Sequence, residues 1–103
     1  MDSPGGSVDG PGDASVRLRL FVVGLTGPSA RARRGLEKLR RELEGDGWFV
    51  EVIDVLERPD LAEEERIVAT PVLIRLAPLP RRSIIGDLSH WRVVADVLDL
   101  GSG

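Results

Sequence analysis

Two strand patterns flank one helix pattern in the first half of the chain, and this order limits the fold more than any other feature. Residues 16–23 (VRLRLFVV) alternate at first between apolar and basic side chains and become wholly apolar at residues 21–23. Such a run predicts a strand whose last residues are buried on both faces of a sheet. Residues 48–56 (WFVEVIDVL) predict a second strand. Since strand, helix and strand follow one another within about 40 residues, we expect a βαβ unit with parallel strands.

The residues between the two strands predict one amphipathic helix over residues 29–44. Four apolar residues recur on one side of it: Ala32, Leu36, Leu39 and Leu43. We expect this stripe to pack on the sheet. Pro28 suits the first turn of the helix, and Thr26 or Ser29 is expected to accept hydrogen bonds from the free amides there.

A second side of the same helix is basic. Four side chains form this stripe: Arg31, Arg34, Lys38 and Arg41. Two interpretations are open at this point. The stripe is either a solvated face, on which Glu37 pairs with Arg41 at the i, i+4 spacing, or a docking surface for an acidic protein partner.

The second half of the chain predicts a short helix and a hairpin. Asp60 and Glu63 have the spacing of a capping box, which predicts a helix over residues 61–66. The three acids at 63–65 point in different directions on a helix, so we interpret them as first-turn charges rather than as a metal site. Residues 72–76 and 82–85 flank a proline-rich turn and predict an antiparallel hairpin that ends at Gly86.

The last segment, residues 87–100, carries a divided signal. Four residues lie at helical spacing and favour a helix: Trp91, Val94, Ala95 and Leu98. Asp87 or Ser89 is then expected to cap that helix. The three valines within residues 92–98 favour a strand instead, because β-branched side chains fit a pleated surface better.

Composition divides the chain into a tail and one domain. The 103 residues, of which 42% are hydrophobic, suffice for one small domain but not for two. Residues 1–15 hold three aspartates, no basic residue, four glycines and two prolines. Such a segment cannot bury enough surface to offset its ordering entropy, so we expect a disordered tail at 1–15 and a domain at 16–103.

Several function classes are excluded by residues that the chain lacks. It contains no cysteine, which removes disulfide frameworks, thiolate metal clusters, redox pairs and cysteine nucleophiles. The net charge of −3 argues against a general nucleic-acid binder. No run approaches the ~18 apolar residues of a membrane span, so we expect a soluble, cytoplasmic protein.

The predicted order β-α-β-α-β-β-α with a mixed sheet resembles the thioredoxin-like fold. In that fold the loop after the first strand carries a redox CGPC, whereas residues 26–29 here read TGPS, so thiol–disulfide exchange is not possible. Thr70-Pro71 resembles the cis-proline position of the same fold. His90 is the single histidine, and its neighbour Ser89 is not expected to face it as a nucleophile faces a base. We therefore expect no catalytic residue, no metal site and no cofactor.

Three longer stretches resemble the KaiB family of circadian clock proteins. They are residues 52–71 (VIDVLERPDLAEEERIVATP), residues 76–89 (LAPLPRRSIIGDLS) and residues 18–29 (LRLFVVGLTGPS). The resemblance covers nearly all of residues 17–100, and blocks of this length are far more specific than a short motif. It also implies an alternative architecture, in which the C-terminal half is repacked and the chains form tetramers.

The resemblance implies a non-enzymatic adaptor. Such a protein binds a KaiC-like hexameric ATPase, modulates its phosphorylation cycle and changes fold in doing so. A KaiA-like protein or a sensor histidine kinase is implied as a further partner, and a dimer or tetramer as a homo-oligomer. The alternative is a cysteine-free thioredoxin-like interaction module in stress or two-component signalling, without a clock role.

The resemblance also implies site residues. The ATPase-facing surface includes Arg66, Ile67 and Val68, with Arg31 as a second-rank candidate; the opposing interpretation packs Ile67 and Val68 into the core. Four residues are implied to be structural: Thr70, Pro71, Gly86 and Asp87. The edge of the second strand, at Phe49 and Glu51, is implied to be where a second partner adds a strand.

Overall fold

The computed structural model describes residues 14–25 and 27–100, which form four strands and three helices. Their order is β1 (Arg17–Val22), α1 (Pro28–Glu42), β2 (Phe49–Asp54), α2 (Pro59–Glu64), β3 (Val72–Ala77), β4 (Arg82–Ile85) and α3 (Trp91–Val97). This is the predicted β-α-β-α-β-β-α order. Thr26 and residues 1–13 of the predicted tail lie outside the described residues.

The four strands form one mixed sheet in the order β2-β1-β3-β4. β1 is parallel to β2, as the βαβ pattern predicts, and antiparallel to β3. β3 and β4 form the predicted antiparallel hairpin. Within the described residues β2 and β4 are therefore the edge strands.

The sheet has an apolar cluster on each face. Leu18, Leu20 and Val22 of β1 are fully buried on the face that α1 and α3 cover. Phe21 is fully buried on the opposite face, where it packs with residues of β2, β3 and α2. The prediction that the end of the first strand is buried on both faces holds for these residues but is wrong for Val23, which is 41% exposed. β1 ends at Val22, and the chain then leaves the sheet.

α1 packs through its predicted apolar stripe. Ala32, Leu36 and Leu39 are buried, and Gly35 lies directly against the backbone of Leu88. A Cβ added at Gly35 would meet the Leu88 carbonyl carbon at 2.8 Å. The bare backbone at this position thus lets the helix approach the segment that precedes α3.

The prediction that Ser29 caps α1 is wrong. α1 begins at Pro28 with Gly27 at the N-cap and no side-chain cap, so Ser29 already lies within the first turn. Its hydroxyl donates to the Val23 carbonyl at 2.6 Å and accepts from the Val23 amide at 3.0 Å. Ser29 therefore satisfies the end of β1 and joins it to the start of α1.

The predicted cap and first-turn acids of α2 are also wrong. Because Pro59 takes the first helical position, the N-cap is Arg58, and only Asp60 lies in the first turn. The Asp60 carboxylate accepts from the Arg58 guanidinium at 2.9 and 3.1 Å. The three acids at 63–65 consequently fall at the end of the helix rather than at its beginning.

The divided C-terminal segment forms the helix α3, with Val94, Ala95 and Leu98 buried as the helical spacing predicts. The N-cap is His90, so the prediction that Asp87 or Ser89 caps this helix is wrong. Asp87 Oδ1 instead accepts from the Ser89 amide at 2.8 Å, in the turn before the helix. Burial of the apolar stripe decides the conformation here against the strand propensity of the valines.

A buried arginine fastens the end of α3 to the sheet. Arg75 on β3 is only 2% exposed. Its Nη1 donates to the carbonyl of Leu98 at 2.8 Å and to that of Asp99 at 3.2 Å. Its Nη2 donates to the Pro80 carbonyl in the β3–β4 turn. A cation beside the last carbonyls of a helix is also favoured by the helix dipole.

Candidate partner-binding surface

Four segments meet at one end of the sheet because β1 runs parallel to β2 and antiparallel to β3. We call this region the cis-proline end, after the bond before Pro71; it consists of residues 23–25, 55–58, 67–71 and 86–89. Two further cis bonds, before Pro78 and Pro80, lie in the β3–β4 turn at the other end of the sheet. The Thr70–Pro71 bond is cis, as the resemblance to the thioredoxin-like fold implies. The Gly86 amide donates to the Pro71 carbonyl at 2.9 Å and ties the end of β4 to this proline.

A groove of about 210 Å³ opens at this end, between the first turn of α1 and the cis-proline. Its walls are formed by Pro28, Arg31, Ala32, Pro71, Gly86, Asp87 and Leu88. Four predicted site residues from three separate stretches of the sequence thus line one groove. They are Arg31, Pro71, Gly86 and Asp87.

The segment after α2 presents two of its three predicted contact residues to solvent. Arg66 is exposed and has a left-handed backbone, with φ 57. Ile67 is half-buried against the cluster around Phe21, whereas Val68 is 90% exposed. The core interpretation therefore holds in part for Ile67 and is wrong for Val68, whose contact with the ATPase stays a prediction.

An ion-pair network that the sequence reasoning missed holds this segment on the sheet. Glu65 precedes Arg66 and accepts from Arg19 Nη1 at 3.4 Å and from Arg81. Arg19 Nε also donates to Glu51 Oε1 at 3.0 Å. The Arg19–Glu51 pair follows from placing the two strands in parallel register. The contacts of Glu65 join residues that are distant in sequence, and no local pattern indicates them.

The second predicted surface is separate from the first. Phe49 and Glu51 lie on the edge strand β2, and Phe49 is aligned with Arg17 at the start of β1, away from the cis-proline end. The Arg17 guanidinium lies 5.9 Å from the centre of the Phe49 ring. Glu51 is paired with Arg19, so its charge is offset within the domain.

The basic stripe of α1 is solvent-exposed along its whole length. The predicted pair between Glu37 and Arg41 is not formed, because no oxygen–nitrogen distance of 4.0 Å or less joins them among the described side chains. Arg31 is the member of the stripe that reaches the groove, beside Asp87.

The Asp87 carboxylate at the groove is held in its ionised form. The side chain of Ser89 and the hydrogen bond from its backbone amide lower the pKa of Asp87 from its ordinary value, and the charges of His90 and Arg31 act in the same direction. An anion and a cation therefore line the same groove. The Asp60 carboxyl at the start of α2 also has a lowered pKa, caused by its hydrogen bond with Arg58.

Ser89 and His90 are closer than the sequence reasoning predicted. Ser89 Oγ lies 3.2 Å from His90 Nδ1, because both residues precede α3 and do not follow helical geometry. Both are exposed, and within residues 14–25 and 27–100 no carboxylate hydrogen-bonds the imidazole. The pair thus lacks the third group that orients the base in a nucleophile–base arrangement.

Two other classes of site find no support in the part of the chain that the structure describes. No group of three acidic or histidine side chains there is placed to hold a metal ion. No helix there combines the length and apolar character that crossing a membrane requires. What the cis-proline end offers is contact chemistry: exposed apolar side chains, and a groove that is lined by the cation Arg31 and the anion Asp87.

Comparison with known proteins gives consistent matches in sequence and in structure. The KaiB domain family model matches residues 19–100. The circadian clock oscillator protein KaiB of Synechococcus elongatus is 49% identical over 84 residues, which are 81% of each chain. The circadian clock protein KaiB3 of Synechocystis is 43% identical over 83 residues, again 81% of each chain.

Solved structures with the same fold include thioredoxins and the N-terminal domain of SasA. The N-terminal domain of Synechococcus elongatus SasA has a TM-score of 0.67 at 24% identity, over 100% of this chain and 96% of that one. A mutant thioredoxin from Halobacterium salinarum has a TM-score of 0.70 at 24% identity, over 92% and 81% of the two chains. At this identity the likeness shows the fold alone, which is thioredoxin-like.

Proposed function

This chain belongs to the KaiB family, and we propose that it is a non-enzymatic, cytoplasmic clock-type adaptor that binds a KaiC-like ATPase and modulates its phosphorylation cycle. The observation that carries the proposal is the surface at Arg66 and Val68. An apolar side chain that is 90% exposed stands there beside a cation on a segment that ion pairs hold in place. An apolar anchor with a charged neighbour is the common composition of a binding hot spot.

The loop before α1 supports an adaptor rather than an oxidoreductase. In a thioredoxin-like fold this loop carries the redox cysteines, and residues 26–29 here read TGPS. Thiol–disulfide exchange requires a thiolate as the attacking group, and the chain has no cysteine to supply one. The scaffold is thus retained without the redox chemistry, and its surface is left for binding.

A second partner, a KaiA-like protein or a sensor histidine kinase, is proposed to add a strand to the free edge of β2. The unpaired backbone of an edge strand is the usual template for strand addition. Phe49 and Glu51 lie on that strand. The ion pair with Arg19 offsets the negative charge that Glu51 would present to the partner. We also propose that this protein self-associates into a dimer or tetramer, independently of the second partner.

Fold switching is proposed to involve the C-terminal half. α3 is a helix in this structure, yet two of its valines, Val93 and Val97, are 54% and 40% exposed. These side chains gain little from the helical packing and favour strands intrinsically. A strand-containing arrangement of residues 91–97 would bury surface that α3 leaves in water.

Co-migration on size-exclusion chromatography, after long incubation with the cognate KaiC-like ATPase, tests the proposal. We expect a complex, and we expect Arg66→Glu to weaken it about tenfold or more while its circular dichroism stays unchanged. The matched control is Arg92→Glu, which reverses an exposed charge on α3, outside the basic stripe and on the sheet face opposite to α2; it should bind within about twofold of wild type.

Two results would contradict the proposal in different ways. No complex at any incubation time rejects the ATPase as the partner and favours the interaction module without a clock role. A complex that Arg66→Glu and Arg92→Glu weaken equally removes Arg66 from the contact surface, since the change in net charge then explains both effects.

A further inference from the structure

Exposed apolar side chains concentrate at the cis-proline end. Among the described residues, nine large hydrophobic side chains are exposed, and five of them belong to this end or to the last residue of β4 beside it. The five are Val23, Leu25, Leu56, Val68 and Ile85. Isolated exposed apolar residues are normal on a protein surface, but a group at one end of a fold marks an interaction site.

Two leucines in this group lie on adjacent loops. Val22 is aligned with Asp54 at the ends of the parallel strands, and the Val55 amide donates to the Val22 carbonyl at 2.9 Å. Leu25 comes three residues after the end of β1, and Leu56 comes two residues after the end of β2. Both are 71% exposed. The strand pairing therefore carries them to neighbouring positions outside the sheet.

The fold does not account for the exposure of either leucine. Neither side chain belongs to the apolar clusters on the two faces of the sheet. The backbone at Leu56 is nevertheless fixed, because its amide donates to Asp54 Oδ1 at 2.9 Å and closes a tight turn. Because this turn is already ordered, a partner that covers the Leu56 side chain has a smaller entropic cost of ordering the loop.

We propose that Leu25 and Leu56 form, together with Val68, an apolar docking face for the KaiC-like ATPase. The inference rests on the proposed function and extends its contact surface from the segment after α2 to the loops after β1 and β2. Arg66 precedes Val68 by two residues, on the stretch of chain that leads from Glu65, which is paired with Arg81, to the cis-proline end. The partner surface that fits the three side chains is an apolar depression with an acidic group at its border, facing Arg66.

The test uses polar substitution of each leucine, with a leucine elsewhere as the control. Leu25→Ser and Leu56→Ser should each weaken binding of the ATPase about tenfold, and the double variant should weaken it further. Leu79→Ser is the matched control, since Leu79 is 77% exposed in the β3–β4 turn at the opposite end of the sheet. Its affinity should stay within about twofold of wild type.

Thiol protection gives a second measurement that does not depend on loss of binding. The chain has no cysteine, so the variants Leu56→Cys and Leu79→Cys each carry one thiol. The ATPase should slow alkylation at position 56 at least tenfold and leave position 79 unchanged. This readout excludes misfolding as the cause of a weak complex.

The outcomes separate this inference from the proposed function. If wild type forms no complex, the proposed function is rejected and this inference with it. If wild type binds but the leucine variants bind equally well and the thiol at 56 is not protected, only the docking face is rejected. Equal weakening by Leu79→Ser also overturns it, because general surface hydrophobicity then explains the effect.

Discussion

Replacing Arg75 by methionine removes three hydrogen bonds while keeping most of the aliphatic stem in place. In wild type the guanidinium donates to the carbonyls of Leu98 and Asp99 at the end of α3 and to the carbonyl of Pro80. The substitution leaves these acceptors without their donor. We therefore expect the contact between α3 and the sheet to weaken and the whole domain to become less stable.

The magnitude follows from the surroundings of each acceptor. Leu98 is fully buried, so the loss of its charge-assisted bond costs about 1.5–3 kcal/mol. Asp99 and Pro80 are exposed residues whose carbonyls can bind water, so each of their bonds is worth about 0.5–1.5 kcal/mol. Removing a buried charge whose Nε has no partner among the described residues returns part of this cost. The net loss should be about 2–4 kcal/mol.

Urea denaturation followed by circular dichroism measures this loss. For a domain of this size the expected cost corresponds to a fall in Tm of roughly 10–25 °C. The control Arg34→Met removes an exposed arginine from α1 and should change stability by no more than about 0.5 kcal/mol. A loss below about 0.5 kcal/mol for Arg75→Met, with the slope of the denaturation curve unchanged, would refute the role of Arg75 as the tie between α3 and the sheet.

Two further predictions concern the packing of α1 and the turn before α3. Gly35→Ala should destabilise the domain by about 1–3 kcal/mol in the same assay, because the new methyl group meets the backbone of Leu88. The control is Gly47→Ala, since the space around Gly47 is open. Equal losses of stability in the two variants would contradict the prediction. In an NMR titration the pKa of the Asp87 carboxyl should lie below its ordinary value. Ser89→Ala should raise this pKa, because it removes the hydroxyl that lowers it. Because the pKa of Asp87 is lower in the folded state, its carboxylate stabilises the fold above the unfolded pKa, and this contribution is lost as the pH falls through the folded pKa. An unchanged Asp87 titration midpoint in Ser89→Ala would reject Ser89 as the cause of the lowered pKa.

The order of the elements is largely predictable from the sequence because it depends on local periodicity. The alternation in β1, the apolar stripe of α1 and the proline-rich hairpin turn each specify their own conformation over a few residues. Helix starts are less predictable, because a proline and a tertiary contact decide them. Ser29 has the right chemistry for a cap, yet it faces the end of β1 since α1 already begins at Pro28.

Some residues of the candidate surface are predictable from the sequence, and others are not. Arg66 and Val68 lie within five residues of Pro71, so the one sequence block that resembles the KaiB family suffices to identify them as candidates. The meeting of Arg31 with Asp87 at the groove requires the complete fold. The same holds for exposure: Ile67 and Val68 are similar in chemistry, and only the complete fold decides that Ile67 is half-buried and Val68 exposed.

Hydrogen–deuterium exchange of the protein, alone and mixed with its cognate KaiC-like ATPase, tests the central claim most directly. An adaptor that docks through the cis-proline end should show slowed exchange concentrated in residues 23–25, 55–58 and 65–70 when the ATPase is present. The β3–β4 turn at the opposite end of the sheet should exchange at its free rate. Protection that is absent from these three segments, or that is confined to the edge of β2, would contradict the account.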